Sequence, residues 1–147
     1  MDIQHVQDQL DIAALLARYA RAVDTEDWEL WRSLFTEDAT VDYVASGGIA
    51  GTRDDVAQWL SVSLALLPMK QHYITNIESE IRDDTAHVRA MFLNPMQLPG
   101  NPGLSCCGGY YHHVLVRTPE GWRSKELREE STFFVNPLPD PASSGEK

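Results

Sequence analysis

The sequence predicts an α+β fold: a curved, cone-shaped mixed sheet, mostly antiparallel, packed against three helices in the N-terminal half. Three observations predict it. Apolar residues recur at three- and four-residue spacing through the first half of the chain. From residue 71 the pattern turns strand-like, with β-formers alternating over short runs. The turns "RDDT" and "TPEG" then join strands that follow one another in sequence, as in hairpins. Helices first and hairpin-linked strands later bury their apolar faces against each other in two layers.

Ile12, Leu15, Leu16, Tyr19 and Val23 make one apolar stripe and predict a first helix over 10–23. It stops at "DTED", where Asp27 can cap a second helix carrying Trp28, Trp31, Leu34 and Phe35. "ATVDYVA" alternates and predicts a strand holding Val41 and Tyr43 on one face, followed by a turn at "SGGIAG". Thr52 caps a third helix, Asp54 and Asp55 favour its first turn, and Val56, Trp59, Leu60, Ser63, Leu64 and Leu67 form its inner face. Strands are predicted at 71–81, 85–93, 106–117 and 121–130, with a further one at 132–136. Residues 94–105 hold three prolines and two glycines and predict a loop. One domain over 1–136 suits the length of 147 residues, and the Pro- and Ser-rich segment 137–147 predicts a flexible tail.

Composition narrows the function classes. A net charge of −10, with 12 Lys and Arg in no dense cluster, argues against a nucleic-acid partner. No run of about 18 apolar residues predicts a membrane span. The acidic N-terminus "MDIQHVQDQL" does not read as a signal peptide, so a cytoplasmic location is expected. Cys106 and Cys107 are adjacent, a spacing that bridges only through a strained ring, and they read as two small residues opening a strand. No metal-binding, nucleotide-binding or serine-nucleophile motif occurs, and neither metal nor cofactor is expected.

Four places carry candidate chemistry. Asp24 ends the first helix, where the macrodipole disfavours a carboxylate and a helix built for stability alone would carry Lys or Arg. In "QHYITN", His72, Ile74 and Asn76 share a strand face, and an inward imidazole there needs a hydrogen-bond partner. In "GGYYHHVLV", His112 and His113 point to opposite faces, so one of the two can reach a pocket. Tyr43 can donate a hydrogen bond to an oxygen on which negative charge develops.

The segments "RYARAVDTEDWELWRSLFTEDATVDY", "QHYITN" and "GGYYHHVLVRTPEGWRS" together resemble the SnoaL-like proteins of the nuclear-transport-factor-2-like superfamily, nearest to scytalone dehydratase-like members, over residues 8–130. The resemblance implies a cone of curved sheet and three helices. It also implies a helix-end Asp paired with a strand His that acts as base, matching Asp24 and His72, and a helper tyrosine matching Tyr43. A second histidine matches His113 by its His-x-Leu spacing and His112 by its Tyr-His pairing. Val23 stands where the dehydratase carries another tyrosine, and Asn76 where it carries glycine. The expected function is a cofactor-independent lyase or isomerase that abstracts a proton from a small apolar, aromatic or polyketide-like substrate, by dehydration, isomerisation or cyclisation. Trp28, Trp59, Leu64, Asn76 and Phe92 are the expected ligand-binding residues, and a homo-oligomer, dimer or trimer, is expected by resemblance. The alternatives are a ligand-binding module without chemistry and a dimeric assembly subunit on the same fold.

Overall fold

The computed structural model describes residues 2–139, so residues 140–147 of the predicted tail lie outside the described residues. Helix α1 spans Ile3–Asp24 and starts well before the predicted residue 10. Its first turns carry the exposed Ile3, Val6 and Leu10, so no inward stripe announces them. They are held instead by the Asp2 cap, which accepts from the Gln4 N–H, and by Gln4–Asp8 and Gln7–Asp11 bonds one turn apart. Helix α2 is short, Trp28–Ser33, with the Asp27 carboxylate accepting from the Leu30 N–H. Leu34 and Phe35, expected on its stripe, leave it, and Phe35 opens strand β1, Phe35–Asp42. The cause is a tertiary pairing: β1 lies parallel to a distant C-terminal strand, and the Leu34 carbonyl accepts from the Ser124 N–H at 2.8 Å.

The expected turn at "SGGIAG" is only half a turn. A single 3-10 turn occupies Val44–Ser46, and Ala50–Thr52 forms strand β2, antiparallel to β1. Tyr43 therefore sits just past β1, buried at the start of that turn. Helix α3, Arg53–Ser63, follows at once, capped by the Thr52 hydroxyl, which accepts from the Asp55 N–H at 3.2 Å.

Five more strands complete one sheet: β3 (Met69–Lys70), β4 (Tyr73–Arg82), β5 (Thr85–Gln97), β6 (Ser105–Thr118) and β7 (Gly121–Val135). The sheet order is β2-β1-β7-β6-β5-β3, with β4 also paired to β5. Every strand pair is antiparallel except β1 with β7. The seven-stranded sheet is mixed and mostly antiparallel, and three α-helices from the N-terminal half cover its inner face. β5 outruns its prediction and continues through Pro95. That proline falls where β5 changes partner from β4 to β3, a break in the ladder that tolerates it. β7 fuses the two strands expected at 121–130 and 132–136, with a register shift at Gly108 and Gly109 of β6. Gly109 admits no side chain there, because a Cβ would collide with the Glu130 carbonyl.

The inner faces of β5 and β6 alternate strictly. Ala86, Val88, Ala90 and Phe92 face Tyr111, His113 and Leu115, and all are buried. Against them pack Ile12, Leu15, Leu16 and Tyr19 of α1 with Trp31 of α2 and Val56, Ala57 and Leu60 of α3. One polar tie anchors α1 to the far end of the β6–β7 hairpin. Asp8, buried at 3 % exposure, takes a two-pronged bond from the Arg117 guanidinium at 2.8 and 2.9 Å and a third from the Trp122 indole N–H at 3.2 Å. The guanidinium also lies over the Trp122 ring at 4.4 Å and bonds Asp84 on the neighbouring hairpin. Arg117, through these bonds, holds the Asp8 carboxyl well below the usual carboxylate range.

Replacing Asp8 with Ala strands Arg117 and the Trp122 N–H, and is expected to cost on the order of 3 kcal/mol in urea unfolding at pH 7. In the wild-type protein the Asp8 contribution is present above the ordinary carboxylate range and is lost as pH falls below it. The acid limb of a stability–pH curve is therefore expected to be shallower in D8A.

Candidate active site

Between the helices and one end of the sheet lies a cavity of about 460 Å³. α1 contributes Tyr19 and Val23 to its wall, the turn after β1 contributes Tyr43 and Ser46, and α3 with the following turn contributes Trp59, Ser63, Leu64 and Leu67. The sheet supplies Met96, Cys107, Tyr111 and Glu129, and His72 stands at the junction of β3 and β4. The residues after β7, Pro137 and Leu138, reach its rim beside Phe134. No lysine or arginine is among these lining residues.

His72 and Asp24 meet directly. The His72 ring donates from Nδ1–H to Asp24 Oδ1 at 2.6 Å, and the His72 main-chain N–H donates to both carboxylate oxygens at 3.2 and 2.9 Å. These donors compensate a carboxylate placed at the negative end of α1. They also fix the tautomer, leaving Nε2 as the basic nitrogen of a residue that lines the cavity. The His72 side chain is only 8 % exposed. His72 precedes β4 rather than lying within it, as the sequence pattern had it, because β3 ends and β4 begins on either side of Gln71 and His72.

Asn76 does not share the cavity with His72. It is exposed and adopts a left-handed φ of 51°, which Asn tolerates better than most residues. It lies at a bulge in the β4–β5 ladder between Thr75 and Glu78. The extra residue shifts the alternation, so the half-buried positions run His72 and Ile74 before the bulge and Ile77, Ser79 and Ile81 after it.

Neither β6 histidine lines the cavity. They do point to opposite faces, but His112 lies on the outer face, with Nε2 3.0 Å from Glu130 Oε1. His113 points inward and is buried among core side chains, its Nδ1–H donating to Ser124 Oγ at 2.8 Å and its ring edge-on to Tyr19. Ser124 gives its own proton to the Glu126 carbonyl, and the His113 Nε2 has no partner among the described residues. Burial, with His112 beside it, drops the His113 imidazole to about 3, so it stays neutral. Phe92 also stops one layer short, stacked on Tyr111 at 4.4 Å between ring centres. Trp28 packs half-buried against the core without reaching the cavity, whereas Trp59 and Leu64 line it.

Three polar groups in this wall stand outside the candidates that the sequence pattern singles out. Tyr19, taken only as part of the α1 stripe, bonds hydroxyl to hydroxyl with Tyr43. Tyr111 stands edge-on to Tyr19 at 5.3 Å between ring centres. Burial raises all three phenols well above the ordinary tyrosine value, so each keeps its proton. Glu129 is the third. It is 8 % exposed, and its Oε1 has no hydrogen-bond partner among the described residues. Burial pushes its carboxyl up to about 7, Asp42 adding to the rise and the Ser46 hydroxyl opposing it. Leu127, two residues earlier on β7, was the signal that could have turned Glu129 inward. Cys107, expected to be bland, lines the cavity as a thiol that burial pushes up to about 12. Among the described residues no three His, Cys, Asp or Glu side chains gather in a way that could hold a metal ion. No helix among them is long and apolar enough to cross a membrane.

A carboxyl that ionises only near pH 7 in the fold but near 4.5 in the unfolded chain makes stability fall as pH rises from about 4.5 through about 7. E129Q is expected to remove that loss. At pH 8.5 the variant should gain up to on the order of 3 kcal/mol over wild type, and near pH 4 the two should melt alike. Thermal melts at the two pH values decide it.

The comparisons bear on the fold and its kin. The family model described as "SnoaL-like domain" matches residues 4–128. Among curated proteins, "Uncharacterized protein Rv2910c" of Mycobacterium tuberculosis is 36% identical over 134 residues, covering 90% of this chain and 91% of its own. The crystal structure of the Kfla4162 protein from Kribbella flavida superposes with a TM-score of 0.81 at 25% identity, over 90% of this chain and 95% of that one. A proposed scytalone dehydratase from Novosphingobium aromaticivorans DSM 12444 gives 0.84 at 19% identity, over 95% and 94%. The hexachlorocyclohexane dehydrochlorinase LinA-type3 from Novosphingobium barchaimii LL02 gives 0.81 at 17%, over 95% and 97%. These last two likenesses are likenesses of fold.

Proposed function

The chain belongs to the SnoaL-like domain family, and on that premise we propose that it is a cofactor-independent lyase or isomerase whose base is His72, oriented by Asp24. The observation that carries this reading is the 2.6 Å bond from the His72 ring to the Asp24 carboxylate at the wall of an apolar cavity. Nε2 would take a proton from carbon beside a carbonyl or a leaving group, and Asp24 would stabilise the imidazolium that forms. Tyr43, bonded to Tyr19, would polarise an oxygen of the substrate. The cavity's apolar walls and the lack of Lys or Arg among the described residues that line it favour a small uncharged molecule, as does its volume of about 460 Å³. The scytalone dehydratase and dehydrochlorinase relatives of fold add the chemistry of elimination as the first to test.

A panel of neutral cyclic hydroxy-ketones, enones and chlorinated rings, scored for loss of water, loss of halide or shift of a double bond, tests the reading. H72A is expected to lower kcat/KM by roughly 10²–10⁴, and D24N by about 10² or more, with the far-UV spectrum unchanged. A substrate turned over equally by wild type and H72A would sink His72 as the base. Saturable binding of panel members without turnover by the wild type would favour a binding module.

A further inference from the structure

Glu129 lines the cavity with no role in proton abstraction by His72. A glutamate kept for packing or for an ion pair has its oxygens met. Here Oε1 is buried, without a partner among the described residues, and part of a residue that lines the cavity. The titratable and polar groups that bear on it come from every wall. They are Asp42 at the end of β1, Ser46 and Tyr43 in the turn after it, Tyr19 on α1, Tyr111 and Cys107 on β6, and His72, which lines the same cavity. None of them carries a permanent positive charge that could pair with a glutamate anion, and among the described residues no lysine or arginine lines the cavity.

We propose that Glu129 is a second catalytic residue, a neutral carboxylic acid that donates its proton to an oxygen of an uncharged hydroxy- or oxo-substrate whose C–H bond faces His72. This rests on the reading of His72 as the base. In a dehydration, His72 Nε2 takes the proton from the carbon next to a carbonyl, and the C–H electron pair becomes the new C=C bond. The C–O bond on the adjacent carbon breaks, and the Glu129 proton joins the departing hydroxide, which leaves as water. His72 ends as imidazolium and Glu129 as carboxylate. Passage of one proton from the first to the second, through that water, restores both.

The proton inventory of the cavity supports the assignment. The three phenols are held well above their ordinary value and the Cys107 thiol at about 12, while the Glu129 carboxyl sits at about 7. Of the O–H and S–H groups in this wall, Glu129 is the one that gives up a proton near neutral pH. The same group defines the substrate class. A carboxylate or phosphate ester would meet an acid that must then stay protonated and no cation to offset its charge, so uncharged, oxygen-bearing molecules are selected.

The test uses α-tetralone, an uncharged bicyclic ketone that can only accept a hydrogen bond, with quenching of Trp59, the tryptophan that lines the cavity, as the readout. In wild type its Kd is expected to rise roughly tenfold between about pH 5.5 and 8.5, as the donor ionises. E129Q, whose amide donates at every pH, should bind it evenly across that range. H72A should keep the wild-type pH dependence. 1-Naphthoate, an anion of similar size, should bind at least about tenfold more weakly than the ketone at pH 8.5. A flat wild-type titration, no saturable quenching at the lower pH, loss of the pH dependence in H72A, or naphthoate binding equal to the ketone each overturns the proposal. Turnover that survives in H72A would instead remove His72 as base, and the ketone titration would still report on Glu129 by itself.

Discussion

The Asp24 carboxylate accepting from both the main chain and the ring of His72 is the constraint on which the cavity depends. Asp24 closes a helix of six turns, and His72 begins the approach to β4, forty-eight residues later. One carboxylate therefore fixes the end of α1 against the edge of the sheet and fixes the imidazole in one tautomer. The helix dipole opposes a negative charge there, and the three donated bonds oppose the dipole. In the proposed reaction, a charge so held needs little reorganisation when a proton reaches the ring.

The rest of the cavity keeps its protons by burial. Tyr19, Tyr43 and Tyr111 contribute hydroxyls without contributing charge, because the wall that holds them is aromatic and aliphatic. Glu129 obeys the same physics at a lower starting value, and Asp42 nearby adds to the effect. The result is a wall of neutral donors, with the Asp24 carboxylate held behind His72. In such surroundings each donor acts over a shorter range of water and a lower dielectric than at the surface, so its placement matters more than its number.

Much of this architecture was legible in the sequence. The α1 and α3 stripes carry their period in the chain itself, and the long C-terminal strands carry theirs. Asp24 was legible because it violates a helix-end preference, and His72 because a strand face with Ile74 has no reason to hold an unpaired imidazole. What was not legible depends on partners far away or on a change of phase. Phe35 reads as the end of a helix until β7 draws it into a parallel pair. Pro95 reads as a loop until β5 exchanges β4 for β3 beside it. Asn76 reads as inward until its left-handed backbone adds a residue to β4. A bulge of this kind changes which residues face inward without changing the composition of the strand.

Glu129 and His113 show how that phase decides which side chains face the cavity. On β7 the buried positions are Trp122 and Ser124 before an irregularity in the ladder, then Leu127 and Glu129 after it. Counting by twos from Trp122 puts Glu129 on the outer face, among the charged side chains that "KELREE" suggests. One extra residue in the ladder turns it inward. On β6 no such shift separates Tyr111 from His113, so both are inward, yet only Tyr111 lines the cavity. His113 is two residues nearer the hairpin end, bonded to Ser124 and sunk in the core at a value of about 3 that keeps it neutral. The His-x-Leu spacing that drew attention to His113 places it on the correct face but a layer too deep. The inward acid comes instead from the next strand, at a position whose charge composition alone would have assigned to solvent.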